Sequence, residues 1–89
     1  MLNLPAVLTH AQALEAAQAL KIEVAHQAAA VVVDATELTQ FDSSALAVLL
    51  ACRREAVAAG KTFAVQGIPA RLSQLAGLYG VAELIPSAP

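Results

Sequence analysis

The sequence predicts an α/β domain in which helices pack on a mixed, mostly parallel β-sheet. Apolar runs with strand character alternate with runs of helical period along the 89 residues, and such alternation requires mainly parallel strands joined by helices. The three consecutive β-branched residues Val31 to Val33 show no polar alternation, which is typical of a central strand buried on both faces. The length fits a single domain over residues 1–89.

A first strand and a first helix are predicted at the start of the chain. Leu2 to Leu8 is short and apolar. It predicts a strand that ends near Pro5, because proline cannot donate a hydrogen bond to a β-ladder. Thr9 can cap a helix over residues 11–25. The apolar face of this helix follows the 3.6-residue period and consists of Ala13, Ala17, Leu20 and Val24.

The central strand ends at Asp34, and the loop ATELTQF leads from it to Asp42. A second helix is predicted from Ser43 to Ala59, and Gly60 stands where a helix C-cap is expected. The apolar side of this helix contains Leu46, Leu49, Leu50 and Cys52.

The last third of the chain predicts a strand, a helix and a final strand. Residues 62–66 form the strand, Gly67 closes it, and Pro69 suits the first turn of the helix. The apolar face of that helix contains Leu72, Leu75, Ala76 and Tyr79, and Gly80 is expected at its end. The sequence VAELI, residues 81–85, predicts the final strand, after which Pro86 and Pro89 end the ordered structure.

Composition and charge exclude several classes of partner. The net charge is -2 and the five Lys and Arg residues are scattered, whereas nucleic-acid binding favours a basic patch. Three aromatic residues (Phe41, Phe63 and Tyr79) provide no stacking platform. The longest apolar run, Ala45 to Cys52, is far shorter than the roughly 20 residues that span a membrane, so direct membrane insertion is not expected. No basic segment precedes an apolar stretch at the start, which favours a cytoplasmic location.

The sequence offers no catalytic or metal-binding constellation, and we expect neither an enzyme nor a cofactor. Cys52 lies within an apolar helical run and is expected to be a small buried side chain. His10 and His26 have no carboxylate or cysteine at ligand spacing, so no metal site is predicted. No glycine-rich phosphate loop, acid–base pair or activated nucleophile can be assembled.

The segment around Asp42 supports two interpretations. Asp34 ends the central strand and Asp42-Ser43-Ser44 opens the next helix. Both are therefore expected at the carboxyl edge of the sheet, where α/β proteins bind ligands. The N-terminus of a helix also suits an anion or a phosphorylated side chain. However, Asp and Ser are preferred N-caps, and spacing alone favours a purely capping role.

The stretch VVVDATELTQFDSSALAVLLACRREAVAAGKTFAVQG resembles the core of the STAS domain family, the sulfate-transporter and anti-sigma-factor-antagonist module. That family has an apolar strand ending in Asp, a short loop, and Asp-Ser-Ser-Gly-Leu or a similar motif that opens a helix. The resemblance covers nearly the whole chain. It implies that Asp42, Ser43 and Ser44 bind a partner protein, with Gln40 and Phe41 as weaker candidates.

Two functions follow from this resemblance. The segments LNLPAVLTHAQAL and AVQGIPARLSQLAGLYGVAELIP are similar to the MlaB branch of the family. This branch implies a non-catalytic subunit of an Mla-type ABC transporter for phospholipids, bound to the cytoplasmic ATPase subunit and peripheral to the inner membrane through its partner. Alternatively, the protein is an anti-sigma-factor antagonist whose partner is an anti-sigma factor kinase. Ser43 then stands at the phosphorylated position.

Two departures from the family pattern carry expectations of their own. Ala45 replaces the usual glycine, which should stiffen the start of the helix. The chain begins at the second expected strand, so the fold should lack the usual first strand and leave one sheet edge bare. A bare edge favours pairing with another chain, although a start codon placed too late explains the gap equally well.

The arginines are most simply interpreted as solvated helix charges. Arg53 and Arg54 lie in the second helix, and Arg71 opens the third. Arg71 is also a candidate to contact a carboxylate of a partner.

Overall fold

The computed structural model describes residues 1–88. Within them, strands and helices alternate as the sequence predicts, which confirms the α/β class. The strands are β1 Leu2–Asn3, β2 Val7–Leu8, β3 Ala30–Asp34, β4 Gln40–Phe41 and β5 Thr62–Gln66. The helices are α1 His10–Ala25, α2 Ser44–Ala58 and α3 Ala70–Leu78, followed by a 3-10 helix, Ala82–Leu84.

The main sheet has the order β1-β3-β5, and its strands pair in parallel. Strand β3 is central, and Val31 and Val33 are 1% and 0% exposed. Val32, on the opposite face, is only half-buried. The prediction of a strand buried on both faces is therefore only partly right, because the second face is incompletely covered.

A second, two-stranded parallel sheet pairs β2 with β4. Because β2 follows β1 and β4 follows β3, this sheet lies beyond the carboxyl ends of the main strands. The Ala6 carbonyl fixes it by accepting hydrogen bonds from the backbone N–H groups of Thr39 at 2.8 Å and Gln40 at 3.0 Å. The sequence predicted one strand up to Pro5 and a plain loop before Asp42. Strands of two residues are too short to show a periodic signal.

The predicted final strand over residues 81–85 is wrong. This segment forms the 3-10 helix, since the Val81 N–H donates to Ala76 at 2.9 Å and turns the chain at the end of α3. Pairing with β5 comes later, where Ser87 bridges Val65 and the Pro86 carbonyl accepts the Val65 N–H at 2.8 Å. Pro86 is thus part of ordered structure, and Pro89 lies outside the described residues.

The three helices present the predicted apolar faces to one core, with one exception. Thr9 precedes α1, and its N–H donates to Gln12 Oε1 at 2.9 Å. Tyr79 is 61% exposed, although the spacing placed it on the buried face of α3. The core includes Leu8, Leu20, Val24, Leu46, Leu49, Phe63, Val65 and Leu72.

Cys52 is 2% exposed, as the sequence predicts, and burial raises its pKa to about 11. Glu23 and Glu55 raise the pKa further through their negative charge. Only the thiolate attacks thiol reagents. We therefore expect the native protein to react with 5,5′-dithiobis(2-nitrobenzoate) at pH 8 at least about 100-fold more slowly than the urea-unfolded chain, whose thiol has an ordinary pKa of about 8.5. Equal rates in the two states would contradict the buried placement.

Gly67 joins β5 to the segment before α3 and has a φ of +67°. A Cβ atom there would overlap the side chain of Thr36 and lie 3.3 Å from its Cα atom. We expect Gly67→Ala to lower the free energy of unfolding by about 1–3 kcal/mol, measured by urea denaturation. Gly77→Ala is the matched control, because Gly77 is helical and has open space around it. It should be neutral or stabilising by up to about 1 kcal/mol.

Candidate partner-binding surface

Asp42 connects the N-termini of two helices through one carboxylate. Its Oδ1 accepts the Ser44 N–H at 2.8 Å, and its Oδ2 accepts the His10 N–H at 3.1 Å. These donors, Ser44 first and His10 second, lower the pKa of Asp42 below its ordinary value. Because His10 opens α1 and Ser44 opens α2, the charge of Asp42 also complements the positive ends of both helix dipoles.

Ser43 occupies the N-cap position of α2, but its hydroxyl does not cap the helix. Asp42 caps the helix instead, by accepting the Ser44 N–H. Ser43 is exposed, and its carbonyl accepts the Leu46 N–H at 3.1 Å, as the first turn requires. The hydroxyl therefore lies at the start of a 15-residue helix without a capping role, which leaves it available to a partner.

The residues on either side of Ser43 are held differently. Ser44 is half-buried, and Ala45, which stands at the glycine position of the family motif, is 0% exposed. The methyl group of Ala45 is thus part of the core and fixes the first turn of α2. Before Asp42, Gln40 is exposed on β4, so its side chain is free to contact a partner.

Phe41 packs partly against the core, and the guanidinium group of Arg71 lies over its ring. The guanidinium carbon of Arg71 lies 5.1 Å from the ring centroid, which is a cation–π distance. This contact places the cation of α3 beside β4. Arg71 is itself exposed, so its guanidinium can also meet a carboxylate from outside, as the sequence suggested.

An apolar groove begins at Ser43 and runs along α2. We call it the Ser43 groove. Its volume is about 260 Å³, and it is lined by Ser43, Leu46, Ala47, Leu50, Tyr79 and Val81. The exposed ring of Tyr79 forms one wall. The groove was not predicted from the sequence, because the spacing placed Tyr79 on the buried face of α3. The position of Tyr79 directly before Gly80 could have indicated its exposure, because the helix ends there and side chains at a helix end often reach solvent.

Asp34 ends β3 at the carboxyl edge, as predicted, but its carboxylate is engaged in its own turn. Its Oδ1 accepts the Thr36 N–H at 2.9 Å. This hydrogen bond is the main reason that the pKa of Asp34 lies below the ordinary value. Asp34 therefore shapes the loop that leads toward Asp42.

Within residues 1–88, no three side chains of the His, Cys, Asp and Glu types group as metal ligands would. None of the helices described is long and apolar enough to cross a membrane.

The comparisons with known proteins identify the family. No curated protein matches the sequence. A family model described as "Mlab, STAS domain" matches residues 1–86, which is nearly the full length of 89 residues and includes the Asp42-Ser43-Ser44 segment, β2 and α3. The parallel α/β architecture and the helix that opens directly after Asp42 agree with this match. The chain belongs to the MlaB-like STAS domain family.

Proposed function

We propose that this protein is a non-catalytic accessory subunit of an Mla-type ABC transporter for phospholipids. It would bind the ATPase subunit through Asp42, Ser43, Ser44 and the adjoining Ser43 groove. Such a subunit works in the cytoplasm and is held at the inner membrane through the ATPase and the permease. STAS domains are generally binding domains without catalytic activity, which agrees with this role.

One observation carries the proposal: the hydroxyl of Ser43 is exposed and is not used to cap α2, because Asp42 performs that task. A serine that were only a cap would direct its side chain toward the N–H groups of the first turn. Beside it lies an apolar groove with an exposed tyrosine, and tyrosine is enriched where proteins bind each other.

Binding at this surface can support the ATPase only by favouring one of its states. The subunit shifts the ATPase toward its assembled, active state by the difference between its affinities for the two states. The apolar groove supplies contact area, and the N-terminus of α2 supplies a partial positive charge for a polar group of the ATPase.

The test is the affinity for the purified ATPase subunit of the Mla-type transporter from the same cell. We expect Ser43→Arg to weaken binding at least about tenfold in isothermal titration calorimetry, since a bulky cation would occupy the mouth of the groove. Ala28→Arg is the control, because Ala28 is exposed and precedes β3 at the opposite edge of the sheet. Equal affinities of wild type and Ser43→Arg would contradict the proposal.

A second function rests on the same exposed hydroxyl. If the protein is an anti-sigma-factor antagonist, an anti-sigma factor kinase would phosphorylate Ser43 and add about -1.5 to -2 charges at the N-terminus of α2. The helix dipole would accommodate this charge without refolding. Tandem mass spectrometry of peptides from the protein isolated from its own cell distinguishes the two functions, because it locates a phosphate on a particular residue. A phosphate on Ser43 supports the switch, and its consistent absence supports the transporter subunit.

A further inference from the structure

A second groove, which we call the arginine groove, lies further along α2 than the Ser43 groove. Its volume is about 420 Å³, and it shares Leu50 with the Ser43 groove. The two together follow α2 from Ser43 to Ala58, which corresponds to about 22 Å of helix. The arginine groove is lined by Leu50, Arg53, Arg54, Val57, Ala58 and Leu84.

The floor of the arginine groove is apolar and its charge is positive. Val57 is 53% exposed and Leu84 is 37% exposed, so apolar area that a partner could cover is open to solvent. Arg53 and Arg54 line the groove, whereas none of its lining residues is acidic. The one ion pair found within residues 1–88 joins Lys21 to Glu55, so both guanidinium groups lack a carboxylate partner in that part of the chain.

The arginine groove presents mainly side chains to a partner. Its longest wall is α2, whose N–H and C=O groups are hydrogen-bonded within the helix except at its two ends. An extended strand laid there would leave its own backbone groups without partners, whereas a helix satisfies its backbone internally. Helix-in-groove binding uses apolar anchors on one face of the incoming helix. The two arginines require acidic groups beside those anchors, because charges across an interface are complementary.

We propose that the arginine groove binds an amphipathic helix of the partner protein, with apolar anchors against Val57 and Leu84 and acidic side chains against Arg53 and Arg54. This inference rests on the proposed function in one respect, since it assigns the helix to the same partner that meets Ser43. Arg53 and Arg54 then set the charge preference, while Leu50 joins the two halves of the interface.

The test uses two synthetic helical peptides with the same leucine face. One carries glutamate beside the leucines and the other carries lysine at the same positions. We expect the glutamate peptide to bind the wild-type chain at least about tenfold more tightly than the lysine peptide, measured by fluorescence anisotropy. Amide chemical-shift changes should concentrate at residues 50–58 and 84. The variant Arg53→Glu/Arg54→Glu should reverse the preference, and its thermal unfolding verifies that it is folded.

Three results would overturn the inference: binding of neither peptide, equal binding of both, or an unchanged preference in a folded double variant. If the charge-reversed variant does not fold, Arg53→Gln/Arg54→Gln provides a milder change. This variant should bind the two peptides equally. The Ser43→Arg variant separates this inference from the proposed function. This variant should lose affinity for the ATPase but bind the glutamate peptide as tightly as the wild type does. If the wild type binds that peptide but not the ATPase, the transporter role fails and the helix-binding groove stands.

Discussion

Replacing Lys61 by methionine is expected to lower the free energy of unfolding by about 2 kcal/mol. The Lys61 ammonium donates hydrogen bonds to the carbonyls of Val24 and Gln27, both at 2.7 Å. The Val24 carbonyl lies in the last turn of α1 and also accepts the Gln27 N–H at 3.1 Å, whereas the Gln27 carbonyl lies just beyond the helix. Charge-assisted hydrogen bonds contribute about 1.5–3 kcal/mol, and a cation also complements the negative end of the helix dipole. Methionine keeps the apolar stem but leaves the carbonyls without this donor.

Lys21→Met is the matched control for this experiment. The Lys21 side chain is 65% exposed, and its Nζ lies 3.6 Å from Glu55 Oε1. Exposed pairs of this kind contribute about 0–1 kcal/mol, so urea denaturation should show a smaller loss for Lys21→Met. If the two variants lose the same free energy of unfolding, the hydrogen bonds of Lys61 do not stabilise the end of α1.

Sequence reasoning predicted the elements whose burial follows a regular period. The apolar face of α1 and the valines of β3 form the core as expected, since Val24, Val31 and Val33 are buried. The sequence did not predict the elements that depend on contacts between residues distant in the chain. Strand β4 exists because the Ala6 carbonyl accepts the N–H groups of Thr39 and Gln40, and no local pattern encodes that contact. The 3-10 helix replaces the predicted strand for a similar reason, since the turn after α3 diverts the chain.

The candidate surface shows the same division. The sequence placed Asp42 and Ser43 at the start of a helix, but it could not say which of them caps it. The structure assigns the cap to Asp42, whose second oxygen reaches His10, 32 residues away. The grooves along α2 also escaped sequence reasoning. The period correctly indicated that Leu46 and Leu49 are buried, but it contains no information on which neighbouring element leaves the outer side of α2 open.

Asp42→Asn is expected to destabilise the fold at neutral pH, although Asp42 lies on the surface. The amide keeps one acceptor oxygen and replaces the other by an NH₂ group. One of the two N–H groups, of His10 or of Ser44, then faces a donor instead of an acceptor. The variant also loses the negative charge beside both helix N-termini. Thermal unfolding at pH 7 should show a clear decrease in Tm. Glu37→Gln is the control, because Glu37 is exposed and its carboxylate forms no hydrogen bond or ion pair found within residues 1–88.

The pH dependence follows from the direction of the pKa shift. The pKa of Asp42 is lowered in the folded state, so its carboxylate contributes stability at pH values above the unfolded pKa of about 3.9. This contribution is lost as the pH falls through the lower, folded pKa. The difference in Tm between wild type and Asp42→Asn should therefore be largest near neutral pH and decrease below about pH 4. A difference that stays constant down to pH 2 would contradict the role of the ionised carboxylate.

Ser43→Ala is expected to separate the capping of α2 from the binding of the partner. The Ser43 hydroxyl does not cap α2, so its removal should leave Tm nearly unchanged at every pH where Asp42→Asn lowers it. The same variant should weaken binding of the ATPase, if the exposed hydroxyl contacts that partner as proposed. A large loss of stability in Ser43→Ala would assign Ser43 to the fold after all. Unchanged stability with weakened binding would show that adjacent residues divide the two tasks, with Asp42 holding the helices and Ser43 serving the partner.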